Sequence, residues 1–285
     1  MQTILITGCK GQLGLELSKQ LSADENYRLI RTDVEEMDIT RSTAVFEKIK
    51  ETKPDVVINC AAYTAVDACE QNVDLAYRIN AVGAGNLARA SFAVGAKIIH
   101  ISTDYVFDGE GMRDSDGSIR PYVETDRPAP INVYGKSKLA GEEMVRLHNP
   151  RHVVVRTAWM YGEGSNFVRT MLRLAQDNNS IKVVNDQWGN PTSAREVVRF
   201  IIDFLNRPDC GVFHATCEGI CTWYEFACEI FRLKGIDVHV APCTTEEYPR
   251  PARRPRYSML DNRAARLCGA YAMAHWKDAL AEYLK

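Results

Sequence analysis

The first fourteen residues constrain the fold more than any other stretch of this chain. Thr3 to Thr7 is a short apolar run of strand-forming residues, Gly8 ends it, and Leu13, Leu17 and Leu21 then recur at helical spacing. Gly8-Cys9-Lys10-Gly11-Gln12-Leu13-Gly14 therefore sits at a strand-to-helix turn. There, glycines allow a tight turn and close backbone approach, and the helix start offers free N–H groups and a favourable dipole to a pyrophosphate. The spacing is G-x-x-G-x-x-G, and no Gly-Lys-Ser/Thr ending follows, so the turn is not a nucleotide-hydrolysing P-loop. A glycine-rich turn with no ligand is the plainer alternative.

The alternation continues down the chain. Leu29-Ile30, Val56 to Ile58, Ile98 to Ile101 and Val153 to Val155 read as further strands, and Ala44 to Lys50, Ala76 to Ala93 and Val133 to Leu147 as helices. Strands apolar on both faces and separated by helices predict a parallel sheet covered on both sides, a Rossmann-type doubly wound α/β fold. From Phe167 onward the alternation loosens. Helices are expected over Phe167 to Asn178, Glu196 to Leu205 and Trp223 to Leu233, and short strands at Val183-Val184 and Val212-Phe213. The expected division is a dinucleotide-binding domain over 1–157, with a return segment near 192–215, and a smaller C-terminal α/β substrate domain over 158–285.

Composition narrows the function. A formal net charge of -2 gives no global field for nucleic acid or an anionic membrane. No stretch approaches the roughly 20 apolar residues of a membrane span, and the N-terminal apolar run is too short, and lacks the basic flank, for a signal peptide. Nine cysteines with no C-x-x-C pair predict reduced thiols in a cytoplasmic protein, with neither a metal site nor a disulfide framework.

The chemistry is carried by Tyr134-Gly135-Lys136-Ser137-Lys138, with Ser102-Thr103-Asp104 just after the fourth strand. Residues four apart share a helix face, so Tyr134 and Lys138 point together. An ammonium near a phenol lowers its pKa toward the working range of a proton donor, and the Thr103 hydroxyl can hold a carbonyl oxygen beside it. Taken alone, Y-x-x-x-K is equally a solvated helix face; the glycine turn and Ser-Thr preceding it give it meaning. Asp33, 19 residues past Gly14, can accept hydrogen bonds from an adenosine ribose diol and repel a 2′-phosphate, although Arg31 could soften that exclusion. This favours NADH with NADPH tolerated; a surface loop aspartate is the alternative. Asp38 and Ile39 could flank the adenine. Arg250, Arg253, Arg254 and Arg256 form a local basic cluster, either an exposed charged loop or a diphosphate site.

With these motifs in chain order, the sequence resembles the extended short-chain dehydrogenase/reductase superfamily and, more narrowly, the dTDP-4-dehydrorhamnose reductases. Beyond the glycine and tyrosine motifs, the resemblance rests on Asn59 to Asp67, Ser102 to Phe107, Val133 to Glu142, Arg156 to Trp159, Asn185 to Thr192, Thr222-Trp223 and Arg254-Pro255. It implies reduction of the C4 ketone of a dTDP-linked 4-keto-6-deoxy sugar with NADH or NADPH. Gly8, Gly11, Gln12, Leu13 and Gly14 would line the pyrophosphate, Asp33, Asp38 and Ile39 the adenosine, and Ala62, Tyr63 and Thr64 the rest of the cofactor. Tyr134 would donate the proton, Lys138 tune it and hold the nicotinamide ribose, and Thr103 orient the keto group. Asp104 and Trp159 would contact the sugar, with core filling as the alternative for the tryptophan, and Arg254 the diphosphate. Other implied roles for such a chain are a nucleotide-sugar epimerase, a dehydratase, or a non-catalytic subunit like the methionine adenosyltransferase regulatory subunit. Thr103-Asp104 is followed by Tyr105 where a dehydratase would carry Glu. A homodimer is possible. Arg195 stands where a metal-bridging Glu would be expected, so no metal is assigned.

Overall fold

The computed structural model describes residues 1–285. Its centre is a six-stranded, all-parallel sheet in the spatial order Gly211–His214, His152–Thr157, Lys97–Thr103, Val56–Asn59, Gln2–Thr7, Tyr27–Thr32. All four residues of Val56–Asn59 are buried, as expected of a strand covered on both faces. One face packs on helices Gln12–Leu21 and Ala194–Asn206 through Leu13, Leu17, Val197, Val198 and Ile201. The other packs on helices Ser42–Thr52 and Ala84–Ala93 through Val45, Ile49, Leu87 and Ala88. The strand order reverses between Gln2–Thr7 and Val56–Asn59, so a crevice opens outside their carboxyl ends.

The helix expected over Ala76 to Ala93 runs without a break from Val73 to Ala93, with a π-helical turn Arg78–Gly83 inside it. Asn72 leaves helical geometry (φ -122°, ψ 53°) and separates it from a short preceding helix, Val66–Gln71. Within the π turn, Asn80 faces inward, accepts from the Tyr63 N–H at 2.7 Å and donates to the Ser137 hydroxyl at 3.0 Å. Such widened turns concentrate where a side chain must be re-aimed. Val212-Phe213 lies in strand Gly211–His214, an edge of the main sheet paired in parallel with His152–Thr157, and helix Ala194–Asn206 joins the covering layer; both fall within the segment 192–215.

The remaining segments build a smaller lobe. Strands Ser180–Val184 and His239–Cys243 pair in parallel, and helices Phe167–Asp177, Trp223–Lys234 and Trp276–Tyr283 pack around Phe226, Ile230 and Leu280. Helix Trp223–Lys234 starts with a capping box, Thr222 with Glu225, and stops at Gly235 in the left-handed region. No helix is long and apolar enough to cross a membrane.

Candidate active site

The glycine turn forms as its spacing predicts. Gly8 has φ +64°, and a Cβ there would lie 2.7 Å from the Ala61 nitrogen; at Gly14 it would lie 2.3 Å from the Gly8 carbonyl oxygen. Only glycine lets the turn, the following helix and the neighbouring loop close this tightly. Gly11 caps helix Gln12–Leu21 with no side-chain bond to its first-turn N–H groups, and the Gln12 Oε1 is buried without a partner. Unsatisfied donors at a helix start suit an anionic ligand.

These glycines form one wall of a cleft of about 440 Å³. The same cleft gathers Ala62, Thr64, Thr103, Asp104, Tyr134, Lys138 and Trp159. Asp33, Asp38, Ile39, Tyr63 and Arg254 are not part of its wall. Asp33 follows strand Tyr27–Thr32 and accepts from the Lys10 backbone N–H at 3.0 Å, which places a carboxylate over the glycine turn. Arg31 turns away from it to donate to the Ser22 hydroxyl. Asp38 holds the Thr40 N–H and hydroxyl at 2.9 and 2.8 Å, and Ile39 is buried in the core beside Met37. Tyr63 is braced by Asn80 through its backbone.

Asn132 caps helix Val133–His148 by accepting from the Gly135 N–H at 2.8 Å, and so presents Tyr134 and Lys138 to the cleft. The Tyr105 ring meets Tyr134 edge-on, 5.4 Å between centroids. The electrostatics differ from the expectation that Lys138 pulls the phenol down. The Lys138 ammonium donates to the Ile101 carbonyl at 2.6 Å. Burial and the Asp104 carboxylate instead push Tyr134 well above the usual tyrosine range, and the Thr103 hydroxyl opposes them only partly. Burial brings Lys138 down to about 8, with Glu142 working against the shift. Asp104 is lifted by burial to about 7 despite the bond from Thr103, and its Oδ2 is buried without a partner. Thr103 donates to the other oxygen at 2.9 Å. The cleft thus holds a protonated phenol, a hydroxyl and a carboxyl that burial lifts toward its neutral form, side by side.

Beneath this group lies a buried ion pair. Arg156 reaches Glu142 with two bonds, 2.9 and 2.7 Å, and the side chains are 3% and 1% exposed. Ser102 donates to the same carboxylate, and the guanidinium lies over the Phe107 ring at 5.1 Å.

Trp159 has φ +45°, a strained value for a residue this size. It is held by a stack on Trp223 (centroids 3.6 Å, planes 8° apart) and by its indole N–H on the Ser258 hydroxyl at 3.1 Å. Trp223, Cys60, Ser102 and Met160 also line the cleft, and none of them was given a role from the sequence. Trp223, Cys60 and Ser102 lie in the matched segments; Met160 carries no signal.

The arginine cluster disperses. Arg253 pairs with exposed Glu110, Arg250 and Arg256 lie over Tyr248 and Tyr257, and Arg254 pairs with Asp67 at 2.9 Å. Arg254 and Asp67 are near enough to Tyr105, on the cleft wall, for their charges to act on it. Arg195 pairs with Glu282 at 2.8 Å.

The profile of the RmlD substrate binding domain family matches residues 1–285. The spore coat polysaccharide biosynthesis protein SpsK of Bacillus subtilis is 42% identical, the match covering 100% of this chain and 98% of that one. A crystal structure of a dTDP-4-dehydrorhamnose reductase from Clostridium acetobutylicum superposes with a TM-score of 0.95 at 52% identity, covering 99% of this chain and 98% of its own. Another, from Bacillus anthracis in complex with NADP, gives 0.94 at 41% identity, covering 100% and 99%. The chain belongs to the RmlD substrate binding domain family, together with the dTDP-4-dehydrorhamnose reductases.

Proposed function

We propose that this chain reduces the C4 ketone of dTDP-4-dehydro-β-L-rhamnose to dTDP-β-L-rhamnose with NADPH or NADH, as a cytoplasmic enzyme. One observation carries the reading: a phenol held protonated beside a hydroxyl, in the cleft whose opposite wall is the glycine turn. Its relatives' names supply the substrate.

The residues fit a dinucleotide. The bare helix start at Gly11 suits the pyrophosphate, and Asp33 suits the adenosine ribose. When bound, the nicotinamide supplies the hydride. Thr103 orients the keto oxygen. Tyr134, proton-bearing at neutral pH, gives its proton to that oxygen as negative charge develops there. Lys138 keeps a positive charge close to the reacting atoms, Asp104 accepts from a sugar hydroxyl, and the Trp159–Trp223 stack gives the sugar an apolar wall. Arg254 binds the diphosphate by exchanging its Asp67 partner for phosphate oxygens. Thiols kept protonated by burial, such as Cys60 and Cys217, each pushed up to about 12, suit a reducing compartment.

Two outcomes are expected. Arg254→Ala raises KM for the dTDP-sugar and leaves NADPH affinity unchanged; a charge-assisted bond of about 1.5–3 kcal/mol corresponds to roughly 10- to 150-fold in kcat/KM. Arg253→Ala, at an exposed pair, loses far less. Equal losses in the two variants would reduce Arg254 to general charge. Second, kcat/KM follows a bell. It rises through about pH 7 as Asp104 becomes an anionic acceptor, and falls through about pH 8 as Lys138 loses its proton. Asp104→Asn removes the acidic limb. A flat profile between pH 6 and 9 would detach both groups from the reaction.

The experiment that tests the reading as a whole is NADPH oxidation with dTDP-4-dehydrorhamnose and identification of the reduced sugar.

A further inference from the structure

The segment Ala252 to Ser258 lies across both lobes. Toward the smaller one, the Arg256 carbonyl accepts from the Trp188 N–H and the Ser258 N–H donates to the Trp188 carbonyl, each at 2.8 Å. Toward the sheet domain it is held at points that lead to the tyrosine helix. Asn132, 3% exposed, uses its two side-chain ends differently. Its Oδ1 caps the helix at Gly135, while its Nδ2 donates to the Arg253 carbonyl at 2.9 Å. The short helix Val66–Gln71 makes a parallel connection. Asp67 accepts from the Ala252 N–H at 3.1 Å and from the Arg254 guanidinium at 2.9 Å, and Glu70 accepts from the Val133 N–H at 2.9 Å. One end of the segment thus reaches the start of the helix carrying Tyr134 by two routes.

We infer that Asn132 and Asp67 are positioning residues that couple the arginine segment to the tyrosine helix, so that Arg254's grip on the substrate diphosphate sets the placement of the Tyr134 hydroxyl. This rests on the functional reading given above. The anion occupies Arg254 in place of Asp67, and the Asn132 tether carries the resulting position of the segment to the first turn of the helix. The device makes proton donation most accurate when the nucleotide end of the substrate is bound.

Asn132 allows a clean separation, because aspartate and serine cap helices as asparagine does but neither offers an amide donor to the Arg253 carbonyl. N132D is expected to keep its NADPH affinity and to lose about 10- to 100-fold in kcat, the scale on which an ångström of misplacement acts, with a thermal midpoint lowered because its carboxylate faces the Arg253 carbonyl. N132S should behave alike and serves in its place if the aspartate variant folds poorly. A double-mutant cycle decides the coupling. In an Arg254→Ala background the tether has no diphosphate grip to transmit, so N132D should cost no more than about 3-fold there. Equal losses in both backgrounds, or no loss in the wild-type background, would overturn the inference. Failure of the functional reading is visible separately, as a wild-type chain that does not turn over the dTDP-sugar. The tether is then judged without substrate, by hydrogen exchange at the Ala252 amide. N132D should speed that exchange about tenfold if the segment is held as described, and unchanged exchange would overturn the tether itself.

Discussion

Replacing Tyr134 by Phe will remove turnover while leaving cofactor binding close to that of the wild type. The ring and its edge-on contact with Tyr105 survive the change, so the cleft keeps its shape. Only the hydroxyl is lost, and with it the proton that burial and Asp104 keep on the oxygen at neutral pH. General acid catalysis contributes about 10²–10⁴-fold, so kcat should drop by at least the lower figure with NADPH titrating normally. A variant that retains wild-type kcat would require another proton source, and the assignment of the helix to chemistry would fail.

The largest effect on stability is expected at Glu142. Its carboxylate takes both bonds from Arg156 and one from Ser102, with almost no solvent access, and the Arg156 Nη1 already lacks a partner. Glu142→Ala leaves a guanidinium buried with no counter-charge. Breaking a buried pair from one side costs about 3–5 kcal/mol, which in a chain of this size lowers Tm by roughly 10 °C. Removing both charges together, Glu142→Leu with Arg156→Met, should recover much of that loss, because the pair's own desolvation is expensive. Calorimetry on the two variants checks the argument. A Glu142→Ala Tm within a degree or two of wild type would show that water reaches the arginine. The same change removes the charge that holds Lys138 up, so the alkaline limb of the pH profile should move to lower pH.

The parts legible in the sequence are those where chemistry depends on local spacing. Gly8, Gly11 and Gly14 surround one turn, and Tyr134 and Lys138 are one helical turn apart, so the chain itself brings each set together. The parts that were not legible depend on partners distant in sequence. Asp67 meets Arg254 across 187 residues, and Trp159 meets Trp223 only after the smaller lobe has folded back on the sheet domain. The direction of the Tyr134 shift was misjudged for the same reason. Spacing places an ammonium on the right face of the helix, yet the Ile101 carbonyl, on a strand, decides where it points. Strand His239–Cys243 escaped notice because it contains Pro242, which cannot donate to a ladder; it is tolerated in a two-stranded sheet, where one side of the strand is free. The π-helical turn was hidden because apolar periodicity says nothing about an inward-facing Asn80.

The central claim is a net reduction of a nucleotide-linked ketone, with hydride from the nicotinamide and a proton from Tyr134. The most direct measurement follows NADPH consumption and sugar mass together, with purified chain and dTDP-4-dehydrorhamnose. The account predicts that NADPH is oxidised in proportion to the sugar reduced, that the product gains two hydrogens, and that the Tyr134→Phe chain does neither. A sugar that is isomerised or dehydrated with no net loss of NADPH, or no reaction of any kind by the wild-type chain, would contradict it.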